Sequence, residues 1–145
     1  DENILTVLHN NIAAPHIKQI ASVATKIILF YALGEKPAED IFQDITTILQ
    51  ISNVNFKVVL CPDKSVAAFV KNNPAEEVVD FVHVNQKSFV DAVIDICSAV
   101  DIKDPIDIFV PMLRSITDTQ KRSMYVHRIA MKLSCETKYI ESKIK

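Results

Sequence analysis

Residues 27–34 read Ile-Ile-Leu-Phe-Tyr-Ala-Leu-Gly and pass directly into Glu35-Lys36-Pro37 and an amphipathic stretch. A continuous apolar run of this length, bounded by a turn and then a helical period, is a strand buried on both faces. Gly34, in the tight turn from strand to helix, is the only glycine in 145 residues. In sheets flanked by helices, the turn at the carboxyl end of a strand is where phosphate or metal chemistry collects. Here that turn begins Ala32, Leu33, Gly34, none of which is a ligand. The position is that of an active site, but the residues are not.

Ile4-Leu5-Thr6-Val7-Leu8 and 56–61 read as two further strands. Pro15 stands at a first helical position before Ile17, Ile20, Ala21 and Ala24, and Pro37 before Ile41, Phe42, Ile45, Ile48 and Leu49. Strands alternating with helices of this length imply βαβ units, a parallel sheet and right-handed crossovers. Beyond Cys61 only helical periods follow. Val66, Phe69 and Val70 form the first, ended by Asn72-Asn73-Pro74, and Val78, Val79 and Val82 the next. Phe89 to Cys97 is a third and the stretch from Pro105 through Leu113 a fourth. Val126 to Leu133 is a fifth, and Tyr139, Ile140 and Ile144 close the series. The expectation is an α/β part over 1–73, with about three parallel strands, and an α-helical part over 74–145.

Composition excludes several classes. At 49% hydrophobic and 23% charged, the chain is globular, not disordered. No apolar run is long enough to span a bilayer. Asp1-Glu2 is acidic where a signal peptide needs basic residues, and a strand starting near residue 3 suits a piece of a longer chain. Cys61, Cys97 and Cys135 are widely spaced, with no metal-binding pattern. They read as reduced, buried thiols of a cytosolic protein. One glycine cannot build a phosphate-binding loop, and no catalytic triad stands out. His9 and His16 flank the first turn and Asp63 follows the third strand, at the sheet edge where ligands bind; they read instead as a turn residue, an exposed helical histidine and a turn or helix-capping residue.

The net charge of −2 conceals a division. Residues 1–110 carry 8 Lys/Arg against 15 Asp/Glu, and residues 111–145 carry 8 against 3. Much of this excess lies on the helix near 119–133. Val126, Ile129, Ala130 and Leu133 form its buried stripe. Lys121, Tyr125, Arg128 and Lys132 recur at spacings of 4, 3 and 4 and are expected on the opposite face. Cations with an interleaved aromatic suit a nucleic-acid backbone, through charge neutralisation and counterion release. A solvated helix face carries the same pattern, and an acidic partner protein is a further alternative.

In order and spacing, four stretches resemble the rear part of the RNA-polymerase domain of bacterial DnaG-type primases. The first is Asn3-Ile4-Leu5-Thr6-Val7-Leu8 with Pro15-His16-Ile17-Lys18-Gln19-Ile20. The second is 25–31 with the Pro37 helix. The third is Lys57-Val58-Val59-Leu60-Cys61-Pro62-Asp63 followed by Phe69-Val70-Lys71. The fourth runs from Pro111-Met112-Leu113-Arg114 to Arg122-Ser123-Met124-Tyr125-Val126-His127-Arg128 and on to Leu133. The resemblance implies the second half of a Toprim fold followed by a helical subdomain. It also implies a role in DNA replication, with single-stranded DNA or a replisome protein such as a helicase as partner.

The departures from that family are specific. The family's turn supplies two metal-binding aspartates, and Ala32 and Gly34 stand in their places. Magnesium needs oxygen ligands, usually carboxylates. Glu35 and Asp40 are near but out of register, and 64–68 replace an acidic stretch of the family. The half carrying the family's catalytic glutamate would precede residue 1. The expectation is a protein with a decayed metal site, no cofactor and no catalysis by this chain alone, binding through Lys121, Tyr125, Arg128 and Lys132. The alternatives are a fragment of an active primase whose ligands lie in a missing half or a partner chain, and a purely structural interaction module.

Overall fold

The computed structural model describes residues 4–8, 26–51 and 55–145. Three strands, β1 (Ile4–Leu8), β2 (Lys26–Tyr31) and β3 (Phe56–Leu60), form a parallel sheet in the order β1-β2-β3. The register places Val7 beside Leu29, and Leu29 beside Val58. Helix α1 (Ala38–Leu49) is the crossover from β2 to β3. The mixed α/β architecture with a parallel sheet is that expected from the apolar strands. The helix expected after Pro15, together with His9 and His16, lies outside the described residues.

Six helices follow β3: α2 (Val66–Asn72), α3 (Ala75–Val84), α4 (Phe89–Ala99), α5 (Ile106–Ser115), α6 (Thr119–Leu133) and α7 (Thr137–Ile144). Their starts are dictated locally. Ser65 Oγ accepts the Ala68 N–H at 3.0 Å, Ser88 Oγ the Asp91 N–H at 3.3 Å, and Asp118 the N–H groups of Gln120 and Lys121. Prolines 37, 74 and 105 occupy the cap positions of α1, α3 and α5, where a missing N–H costs nothing. Ser134 ends α6 in the left-handed conformation at φ 54°.

Strand alternation divides the apolar side chains between the two sheet faces. Ile27, Leu29, Tyr31, Phe56 and Val58 pack with α1, α4, α5, α6 and Ile140 of α7 into one core. Ile28, Phe30, Ala32 and Val59 pack with Val66 and Phe69 into a smaller one. After Cys61 the sequence showed only helical periods, yet Lys87 pairs antiparallel with Val58 through two 2.9 Å hydrogen bonds. This single bridge covers part of the open edge of β3 and sets where α4 begins. One residue has no periodicity, so no sequence signal announces it.

Candidate functional site

The turn after β2 is held shut by its own residues. Ala32 is fully buried, and its carbonyl accepts the N–H groups of Glu35 and Lys36, both at 3.1 Å. A Cβ on Gly34 would lie 2.7 Å from the Lys64 carbonyl oxygen. The lone glycine is therefore required by the approach of the β3–α2 loop, since no glycine has positive φ. Glu35 Oε1 accepts the Val66 N–H at 3.0 Å, joining the β2 turn to the first turn of α2. This hydrogen bond and the close approach at Gly34 tie the two strand-end loops together.

Beneath the turn lies a buried polar group that the sequence reading missed. Asp44 Oδ2 accepts from the Tyr31 hydroxyl at 2.8 Å and from Lys36 Nζ at 2.5 Å. Lys36 and Asp44 are both buried, and the ammonium sits 5.0 Å from the Tyr31 ring centroid. Burial, and then the Asp44 charge, push the Tyr31 hydroxyl far above its ordinary pKa. A clue was present: Asp44 falls between Ile41 and Ile48 on the buried stripe of α1, where an unpaired carboxylate would be costly.

These residues do not fit a divalent metal. Ala32 and Gly34 carry no donor, Glu35 is engaged with α2, and Asp40 is exposed on the first turn of α1. Among the described residues, no group of three or more His, Cys, Asp or Glu side chains comes together. Asp63 is an exposed turn residue, and the cap of α2 is Ser65. All three cysteines are free thiols; Cys97 is buried, while Cys61 and Cys135 are half-buried. Burial raises the thiol pKa of Cys61 and Cys97, which makes them poor nucleophiles.

At the other end of the sheet the four residues of α6 do come together, with a correction to their direction. Val126, Ile129 and Ala130 are buried as expected, and Leu133 is half-buried. The row of Lys121, Tyr125, Arg128 and Lys132 flanks this stripe, roughly 120° around the helix at about 100° per residue, and is not opposite to it. It therefore faces α4 and the start of β3. Tyr125 is half-buried with its ring edge-on to Phe89, centroids 4.8 Å apart. Arg128 lies over the Tyr125 ring at 5.6 Å. Burial raises the Tyr125 pKa and Arg128 partly offsets it. Lys132 Nζ is 3.1 Å from Asp91 Oδ1 on α4.

Lys121, Tyr125 and Arg128 border a cleft of about 430 Å³. Phe56 and Phe89, stacked at 6.0 Å, form its apolar wall. Asn55 and Ser88 add neutral polar groups. The sequence singled out the α6 side of this cleft but not the residues that β3 and α4 contribute.

The sequence matches no family model and no curated protein. Solved structures do match. A DNA primase domain from Pseudomonas aeruginosa has a TM-score of 0.72 at 10% identity, over 93% of this chain and 45% of that one. A structure of the DnaG catalytic core has a TM-score of 0.71 at 12% identity, over 95% of this chain and 54% of that one. The Aquifex aeolicus primase, with its zinc-binding and RNA polymerase domains, gives 0.68 at 14% identity, over 90% and 32%. The fold is thus that of DnaG-type primase catalytic domains, in agreement with the resemblance of the four sequence stretches. The chain spans about half or less of the length of these structures. No helix among the described residues is long and apolar enough to cross a membrane.

Proposed function

We propose that this chain is a primase-related DNA-replication protein, or a piece of one, that acts by binding and not by phosphoryl transfer. In this reading 1–73 is the second half of a Toprim-like unit and 74–145 its helical subdomain, within a cytoplasmic protein. The observation that carries it is the contrast between a primase fold and its strand-end turn. Two-metal phosphoryl transfer needs clustered carboxylates, and at this turn Glu35 is bonded to α2 while Ala32 and Gly34 have nothing to offer. The basic row of Lys121, Arg128 and Lys132, with Tyr125 supporting, is the contact face for single-stranded DNA or for a replisome protein such as a helicase. No cofactor is required for this role.

The test is a charge-reversal triple variant, Lys121→Glu with Arg128→Glu and Lys132→Glu. Fluorescence anisotropy at low salt should show single-stranded DNA binding by the native chain and its loss in the variant. Normal binding of both DNA and a helicase by the variant would refute the assignment.

A second reading is favoured by the chain's span of about half or less of the matched primase structures. This chain would then be the rear part of an active primase whose metal ligands lie in a preceding half or a partner chain. Magnesium-dependent primer synthesis by the full-length protein would decide for it. Loss of that synthesis on changing Glu35 or Asp40 would identify substitute ligands.

A further inference from the structure

Among the described residues, the cleft between the start of β3, the N-terminus of α4 and α6 contains positive charge without counter-charge. None of the described residues that line it is Asp or Glu. Cations close by are neutralised: Lys87 pairs with Asp95, and Lys132 with Asp91. Among the described residues, neither Lys121 nor Arg128 forms a salt bridge. Lys57 also lines the cleft. Strand alternation, however, turns its side chain away from the face on which Phe56 packs, so it is left out of the charge count.

The remaining groups have the same donor character. Arg128 is oriented by the Tyr125 ring, so less of its side-chain freedom remains to be lost on binding. Ser88 uses its oxygen to accept from Asp91 N–H and keeps its O–H to donate. Asn55 adds a side-chain amide. Two converging cations and two neutral donors, beside an aromatic wall of Phe56 and Tyr125, match a phosphate attached to a flat ring system. A volume of about 430 Å³ is in the range of a small-ligand site and suits a single nucleotide unit.

We infer that this cleft holds one nucleotide unit, its phosphate held by Lys121 and Arg128 and its base against Tyr125 and Phe56. The inference rests on the nucleic-acid reading above and narrows it to one place, leaving Lys132, already paired with Asp91, to long-range attraction. The shared chemistry is a phosphate joined to a base, and its source is either a free nucleotide or a single-stranded chain.

The experiment uses two probes at low salt, a fluorescein-labelled ten-nucleotide oligothymidylate and thymidine 5′-monophosphate. Asn55→Trp fills the cleft without changing charge, Lys121→Ala and Arg128→Ala each remove one cation, and Lys138→Ala removes an equal charge from α7 as the control. Thermal melts establish that each variant folds, and Lys121→Ala decides should Asn55→Trp fail to. Lys121→Ala and Arg128→Ala should each weaken oligonucleotide binding about tenfold, the expected loss of one charge-assisted contact, and Asn55→Trp should weaken it at least as much by filling the cleft. The two cation variants should also flatten the salt slope by about one unit, whereas Lys138→Ala should change affinity less than about twofold. Native affinity in Asn55→Trp and Lys121→Ala would overturn the cleft and leave the nucleic-acid reading standing. Cleft-dependent binding of the mononucleotide, with none of the oligonucleotide, would keep the cleft and overturn that reading. Binding of neither probe would overturn both.

Discussion

The carboxyl end of the sheet and the cleft near its amino end are opposites in how they use polar groups. At the carboxyl end several polar groups of the described residues are bonded inside the protein: Tyr31 and Lys36 on Asp44, Glu35 on Val66, and the Ala32 carbonyl on two N–H groups. At the amino end, Lys121 and Arg128 border a cleft with no carboxylate among the described residues that line it. A binding site needs polar capacity left over after folding. The two ends differ in where that capacity lies among the described residues.

The sharpest way to break the comparison is at the buried group. Asp44→Ala would leave a buried ammonium and a buried hydroxyl facing each other, and should cost about 3–5 kcal/mol in urea unfolding. A loss below about 1 kcal/mol would mean that the carboxyl end is not held together as described. Next in size, Gly34→Val sets a branched side chain against the Lys64 backbone. It should cost about 1–3 kcal/mol, read as a lower thermal midpoint.

Glu35→Ala removes the acceptor at the start of α2 and should cost about 1 kcal/mol. Restored stability in Glu35→Gln would identify hydrogen bonding, and not charge, as the stabilising element.

The Tyr31 hydroxyl supplies a pH test. Its folded pKa lies above the unfolded value of roughly 10. The folded protein therefore holds this proton more tightly. The associated stability is present below about pH 10 and is lost as pH rises beyond it. Tyr31→Phe should remove that part of the alkaline loss, measured as unfolding free energy between neutral and alkaline pH. The smallest effect on stability belongs to the cleft: Lys121→Ala and Arg128→Ala should stay within about 0.5 kcal/mol of the native chain, while changing oligonucleotide affinity. Large destabilisation there would make the pair structural and erase the contrast between the two ends.

Much of the architecture was legible because it rests on local rules. The unbroken apolar run of β2 required cover on both faces, the stripe from Ile41 to Leu49 required a helix, and Pro37 and Pro105 marked where two helices begin. The lack of side-chain donors at two positions of the turn after β2 was legible, since Ala32 and Gly34 are read directly. The α6 row was legible by spacing, but its direction was not. Spacing fixes which residues share a face; what that face meets depends on α4 and β3, which approach it from residues 89 and 56.

What the sequence determined by itself was the order of elements, the parallel sheet and the lack of ligands at the strand-end turn, because period, capping and residue chemistry act over a few positions. Tertiary structure alone decided why the glycine is needed, that Glu35 accepts the Val66 N–H at the start of α2, that Asp44 holds Lys36 and Tyr31, and that Lys132 is neutralised by Asp91 while Lys121 and Arg128, among the described residues, are not. These outcomes depend on distances between residues far apart in the chain, and an electrostatic contact is set by its distance and surroundings, neither of which a sequence states.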